Sequence, residues 1–180
     1  MSQSEDSHFN VYLDHLLDEM RTSLGTDFDR YRNHVYRLIN YTDQFVTLQD
    51  ERLEQVAIAA CFHDAGIWLD HTFDYLEPSR HRAEEYVRSL GHTDWDNVVS
   101  AMIMNHHRIR PVRSNPLVEA FRRADWLDVS KGVINFGITR DVVEQVTSAY
   151  PYAGFQARLV QLTLHRVRRF PLNPLPMMRW

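Results

Sequence analysis

A chain of 180 residues, 44% hydrophobic and 12% aromatic, is long enough to bury one core, and a single globular domain is expected. A formal net charge of −4 and a pI near 6.2 give no support to general nucleic-acid binding, which calls for a strongly basic balance. No run of 18 uncharged apolar residues offers a membrane span, and the acidic start Met-Ser-Gln-Ser-Glu-Asp-Ser is unlike a signal peptide, so no membrane association and a cytoplasmic setting are expected.

Glycine is scarce, strand-like alternation is absent, and apolar residues recur at spacings of three and four. The pattern predicts helices near 8–23, 28–47, 51–65, 80–90, 94–110, 115–130, 138–149 and 154–169, preceded by a disordered segment over 1–7. Domain and helices together span 8–170. Gly25 punctuates the first helix, and Thr26 or Asp27 can cap the second. That second helix carries His34 in line with Tyr31, Leu38 and Tyr41.

The third helix runs through Val-Ala-Ile-Ala-Ala-Cys-Phe-His-Asp-Ala-Gly-Ile. Its Cys61, the single cysteine, rules out an intrachain disulfide and reads as a buried, inert thiol. His63 and Asp64 place an imidazole and a carboxylate at the end of an otherwise apolar helix, a costly burial unless something binds them. The aromatic and acidic loop Leu69 to Pro78 follows, a candidate lid or substrate wall. Ser79 can cap the fourth helix and Gly91 can end it; His81 lies in its first turn, off the Ala83-Tyr86-Val87-Leu90 stripe. Thr93 can cap the fifth, where His106 extends Val99-Met102-Ile103 and His107 follows as a ligand, a substrate contact or an exposed side chain. Asn115-Pro116 suits the start of the sixth, with Asp125 one turn beyond Phe121. The proline spacing of 171–180 rules out a helix and predicts an extended arm laid over the domain, or against a second copy, which leaves a homodimer open.

One histidine on an apolar stripe is more often satisfied by a backbone carbonyl, and an aspartate there can pair with an arginine such as Arg122. Here four helices each direct a metal-competent side chain inward: His34, His63 with Asp64, His106, and Asp125. A common divalent cation accounts for all of them. Mixed imidazole and carboxylate ligation suits Mn, Fe, Co, Ni or Zn, with Mg also open.

The order His34, His63-Asp64, Asp125 resembles the HD-domain superfamily of metal-dependent phosphohydrolases. The resemblance rests on Arg-Asn-His-Val, His-Asp-Ala-Gly-Ile and Ala-Asp-Trp-Leu-Asp-Val-Ser, and covers roughly 28–131. It implies an all-α, single-domain helical bundle with the metal site at its centre, held by His34, His63, Asp64 and Asp125. Members with two ions add two histidines where His81 and His106 stand, and Asp64 would then bridge the ions as the catalytic carboxylate. The implied reaction is hydrolysis of a phosphomonoester or phosphodiester in a small phosphorylated metabolite or nucleotide by metal-activated water. Arg110, Arg122, Lys131 and His107, all near ligands, are the candidate substrate contacts.

The match has departures. Ile67 stands where some members carry a glutamate three residues after the pair, and no Gly-Tyr-Pro motif is present. A branch of the superfamily with a mixed-valence di-iron centre cleaves C–C or C–P bonds with oxygen, and the six residues His34, His63, Asp64, His81, His106 and Asp125 could supply its ligands. Against it, Leu24 replaces that branch's tyrosine; Asp27 keeps an acid at its glutamate position, on a shorter side chain. A non-catalytic, metal-stabilised binding module is the remaining alternative.

Overall fold

The helix at the heart of the structure, Asp50–Phe62, is buried on every face from Gln55 to Phe62, as befits a segment of alanine, valine and isoleucine surrounded by other helices. The computed structural model describes residues 12–178 and, among these, is all-helical with no strand. In chain order the helices are α1 (12–19), α2 (Arg21–Leu24), α3 (Phe28–Phe45), α4 (Asp50–Phe62), α5 (Gly66–Leu69), α6 (Leu76–Ser89), α7 (Asp96–Asn105), α8 (Pro116–Val129), α9 (Arg140–Ala149) and α10 (Phe155–Arg169). No described helix is long and apolar enough to cross a membrane.

Four of them close a cycle: α3 packs on α8, α8 on α7, α7 on α4, and α4 on α3. α6 covers the outside of α4 and α7, while α9 and α10 lean on α3. The alanines of α4 let its neighbours approach closely, so polar groups on the inner faces of α3 and α8 come within reach of its C-terminal end.

Several helix ends follow the sequence. The Asn115 side chain accepts from the N–H groups of Leu117 (2.9 Å) and Val118 (3.4 Å), with Pro116 opening α8 where no donor is lost. Gly91, at φ +84°, ends α6 as His92 N–H closes onto the Val87 carbonyl at 3.2 Å.

Three expected caps are corrected. Thr93 makes no cap bond: it opens a 3-10 turn over Thr93–Trp95, and α7 starts at Asp96 without a side-chain cap. Helix α6 begins at Leu76, so Ser79 lies inside it, and its buried hydroxyl accepts from Gly66 N–H at 3.0 Å. Asp27 makes no cap bond; its carboxylate accepts from Trp68 Nε1 (2.9 Å) and Arg158 Nε (2.8 Å) and pairs with Arg30 at 3.1 Å. A buried carboxylate takes charged and indole donors from three elements in preference to one backbone amide.

The helix expected over 51–65 stops at Phe62, and the one expected over 94–110 stops at Asn105. Both stop just before a site histidine. The segment 171–178 turns back onto the domain, where Met177 is buried in the core. Residues 1–7, and 179–180 at the end of the arm, lie outside the described residues.

Gly66, in the His-Asp-Ala-Gly run, marks a close approach. A Cβ there would stand 3.0 Å from the Tyr75 carbonyl oxygen, 3.1 Å from Tyr75 Cβ and 3.2 Å from Ser79 Oγ. Backbone on the facing side cannot swing away, so Gly66→Ala is expected to cost about 1–3 kcal/mol by overpacking. A lowered denaturant midpoint at constant slope would register it; an unchanged midpoint would mean that the α5–α6 contact yields freely.

Candidate metal centre

His34 projects from the middle of α3 and Asp125 from the middle of α8. His63 and Asp64 follow the last turn of α4, and His106 follows that of α7. All five side chains are buried. His34 Nε2 lies 3.1 Å from His63 Nε2 and 3.7 Å from Asp125 Oδ1. His63 Nε2 lies 3.3 Å from Asp64 Oδ2, and His106 Nε2 lies 3.4 Å from Asp64 Oδ1. Bonds of about 2.0–2.2 Å from one ion to nitrogen or oxygen donors set neighbouring donors about 3–3.6 Å apart, close to this spread.

The tautomers are set from behind. His63 Nδ1 donates to the Ala60 carbonyl (2.8 Å), His106 Nδ1 to the Ile103 carbonyl (2.7 Å), and His34 Nδ1 to the Asp128 carboxylate (2.6 Å). A carbonyl oxygen, like the ionised carboxylate of Asp128, can only accept, so the proton sits on Nδ1 and each neutral ring turns an Nε2 lone pair inward. Two such lone pairs 3.1 Å apart repel unless a proton or a cation lies between them. Asp64 Oδ1, Asp125 Oδ1 and His106 Nε2 are buried with no hydrogen-bond partner, a set of orphaned donor atoms that a cation would satisfy.

The electrostatics agree with this. Burial pushes the His63 imidazole down, but the charge and hydrogen bond of Asp64, with Asp125 behind them, outweigh it and raise its pKa from 6.5 to about 9. Burial pushes Asp64 up, yet His63 and His106 hold it well below the usual carboxylate range. Asp125 is raised, chiefly by burial. Among the described residues, three overlapping groups have the spacing to hold an ion: His34, His63 and Asp125; His63, Asp64 and His106; and His106, His107 and Asp125.

No family model, curated protein or solved structure matches this chain. The centre is therefore read from its own residues.

His81 is not brought to the cluster. It stands on the outer face of α6, exposed and 3.3 Å from Glu85, because its turn of α6 points away from the cycle. His107 takes a place inside: its Nδ1 is 3.7 Å from Asp125 Oδ2 and its Nε2 is 2.6 Å from the Tyr75 hydroxyl. Burial, then the neighbouring His106, hold its pKa well below 6.5, so it is a neutral imidazole.

The three basic candidates lie elsewhere. Arg110 is exposed, and exposed Lys131 stands 5.3 Å over the Tyr152 ring. Arg122 is buried but engaged: Glu119 takes it in two bonds of 2.8 Å, and the Arg108 carbonyl accepts from it at 3.1 Å.

Three residues were missed. Asp128 is fully buried, accepting from His34 Nδ1 and from Arg37 Nε (2.6 Å) and Nη2 (2.9 Å); Arg37 is itself fully buried. Tyr75, also buried, backs His107. Asp128 was legible as the second acid of Ala-Asp-Trp-Leu-Asp, one turn beyond Asp125; Arg37 is one turn beyond His34. Tyr75 carried no periodic signal, since it lies in a loop.

Asp64, Asp125, His107 and Tyr75 form the polar end of a cavity of about 360 Å³. Ile67, Phe73, Trp126, Leu159 and Met177 supply much of its wall. The expected loop after the His-Asp pair thus contributes Phe73 and Tyr75, and the C-terminal arm contributes Met177.

Metal ligation needs a neutral imidazole, so uptake of Mn2+ is expected to release a proton, with apparent affinity rising about tenfold per pH unit up to about pH 9. Calorimetric titration in buffers of different ionisation heat measures this; proton-independent binding would remove His63 from the ligand set. The raised pKa also stabilises the metal-free fold fully below pH 6.5 and less as pH climbs through about 9. Its melting temperature is therefore expected to fall across that window.

Asp128→Asn removes the charge that orients His34 and is expected to weaken Mn2+ binding about 10- to 100-fold. Unchanged affinity would assign Asp128 to the Arg37 pair alone.

Proposed function

We propose that this chain is a metal-dependent phosphohydrolase of the HD-domain type, with His34, His63, Asp64, His106 and Asp125 holding one or two divalent ions. The observation that carries the reading is the pair of inward lone pairs, His34 Nε2 and His63 Nε2, 3.1 Å apart beside carboxylate oxygens without partners. The resemblance in residue order and flanking motifs adds the phosphohydrolase chemistry. Mn, Fe, Co, Ni and Zn suit this donor set.

A divalent ion so held acts as a Lewis acid toward a phosphoryl oxygen and lowers the pKa of its water toward neutrality. The protein supplies the rest. Asp64 is the ionised carboxylate shared by His63 and His106, and it keeps both imidazoles in register. Asp125 faces His34, His63 and His107 from α8.

Of the four candidate substrate contacts, Arg110, Arg122, Lys131 and His107, it is His107 that lines the cavity. With Tyr75 donating to its Nε2, it carries its proton on Nδ1 and offers a neutral donor to a phosphoryl or leaving-group oxygen at the polar end of the cavity. A neutral donor adds no charge to a site already rich in imidazoles.

The di-iron alternative draws no support from two of its positions: His81 is on the surface with Glu85, and Asp27 is tied to Trp68 and Arg158.

Phosphate release from a panel of phosphomonoesters and phosphodiesters with Mn2+ or Co2+ is the direct test. Activity is expected from the native chain and a loss of at least about 100-fold in Asp64→Asn, in line with the weight of one metal-organising carboxylate. Metal uptake without phosphate release from any ester would end the hydrolase reading, and oxygen consumption by iron-loaded protein would replace it.

A further inference from the structure

The cavity above the cluster has two chemically distinct ends. Its deep end is polar and closed, with Tyr75, Asp125 and Asp64 only 1–3% exposed. Its other end is apolar and open. Val160 (58% exposed), Leu164 (52%) and Leu175 (41%) line the same cavity and are among the most exposed large hydrophobic residues of the described chain. Val160 and Leu164 are one turn apart on α10, and Leu175 comes from the arm, so two elements build one apolar mouth. Ile67, Phe73, Leu159 and Met177 continue a mainly apolar wall inward from it, interrupted by Gln156 and Thr163.

Among the described residues that line this cavity there is no lysine or arginine. The cations are next door: a second cavity of about 660 Å³ is lined by Arg158, Arg166 and Arg169, and the two share Ile67 and Phe73 as a common wall. A polyanion anchored at the cluster would find no cation for its remaining charges along these walls, where Gln156 and Thr163 are the polar residues beyond the deep end and the arginines stand behind the shared wall. A single anionic head on an apolar body meets no such penalty. The volume, about 360 Å³, falls in the range of about 300–1,000 Å³ occupied by small-molecule sites.

We infer that the substrate is an amphiphile: one phosphate-ester head seated at the His-Asp cluster, joined to an extended alkyl or aryl body that fills the cavity and leaves by the Val160–Leu164–Leu175 mouth. A nucleoside polyphosphate does not fit this chemistry. The head-group assignment rests on the phosphohydrolase reading; the apolar body rests on the walls alone.

The probes are ethyl-, butyl-, hexyl- and octylphosphonic acid, titrated calorimetrically into the full chain with and without Mn2+, beside adenosine monophosphate. Affinity is expected to rise up to about fourfold per methylene, the increment for complete transfer out of water, and octylphosphonate is expected to bind more tightly than the nucleotide. Leu164→Asn is expected to flatten the chain-length dependence at least twofold per step, whereas Leu172→Asn, on a fully exposed side chain outside the cavity lining, leaves it intact.

Without Mn2+ the affinities drop but the dependence on length persists. Failure to bind Mn2+ would therefore strike the metal reading while the series still tests the walls. A flat series, or tighter binding of adenosine monophosphate, would overturn the amphiphile proposal and leave the metal centre standing.

Discussion

Two imidazole nitrogens facing each other at 3.1 Å, each with its proton held on the far side of the ring, set the terms for the whole interior. Such a pair is unfavourable in a dry protein core unless positive charge lies between the lone pairs. In the metal-free chain a proton on His63 supplies it, which is why that imidazole is held basic against the cost of burial. A divalent ion would fill the same electrostatic need with more ligands. At such a centre a proton and a metal would compete for one set of atoms.

The cycle of α3, α8, α7 and α4 exists around that need. Two ligands come from helix interiors, where a rigid backbone fixes their height, and the others come from just past helix ends. Stopping α4 at Phe62 and α7 at Asn105 leaves His63 and His106 free to hand their Nδ1 protons to carbonyls three residues back, Ala60 and Ile103. His34 has no such carbonyl. It borrows the Asp128 carboxylate, and Asp128 then needs Arg37 to remain ionised in the core. Phe155, stacked on His34 at 4.1 Å, closes the remaining side of that ring.

The cavity gives the proposed chemistry its setting. The buried arginines are paired, Arg37 with Asp128 and Arg122 with Glu119, and Arg158, Arg166 and Arg169 stand behind the Ile67–Phe73 wall. Charge at the centre is therefore governed by histidines, aspartates and whatever ion they hold. The imidazole placed beside them, His107 in hydrogen bond with Tyr75, is neutral because burial and His106 depress its basicity.

The sequence by itself determined the all-helical class, most helix positions, the Asn115 and Gly91 helix ends, and the inward direction of His34, His63, Asp64, His106 and Asp125. These follow from local periodicity and end chemistry, which short stretches of chain encode completely. Tertiary structure alone decided the fate of residues whose role depends on a distant partner. Asp27 and Ser79 had the right spacing for caps, but burial offered them Trp68, Arg158 and Gly66. His81 met no face of the cycle and stayed with Glu85, while His107 was turned inward by a tyrosine 32 residues away in sequence. Arg122 looked free to meet a substrate until Glu119, one turn earlier on its own helix, was seen to claim it. Asp128 and Arg37 belong to the same class: a buried ion pair between helices has no periodic signature, because its stability comes from packing that brings residues 91 apart in sequence together.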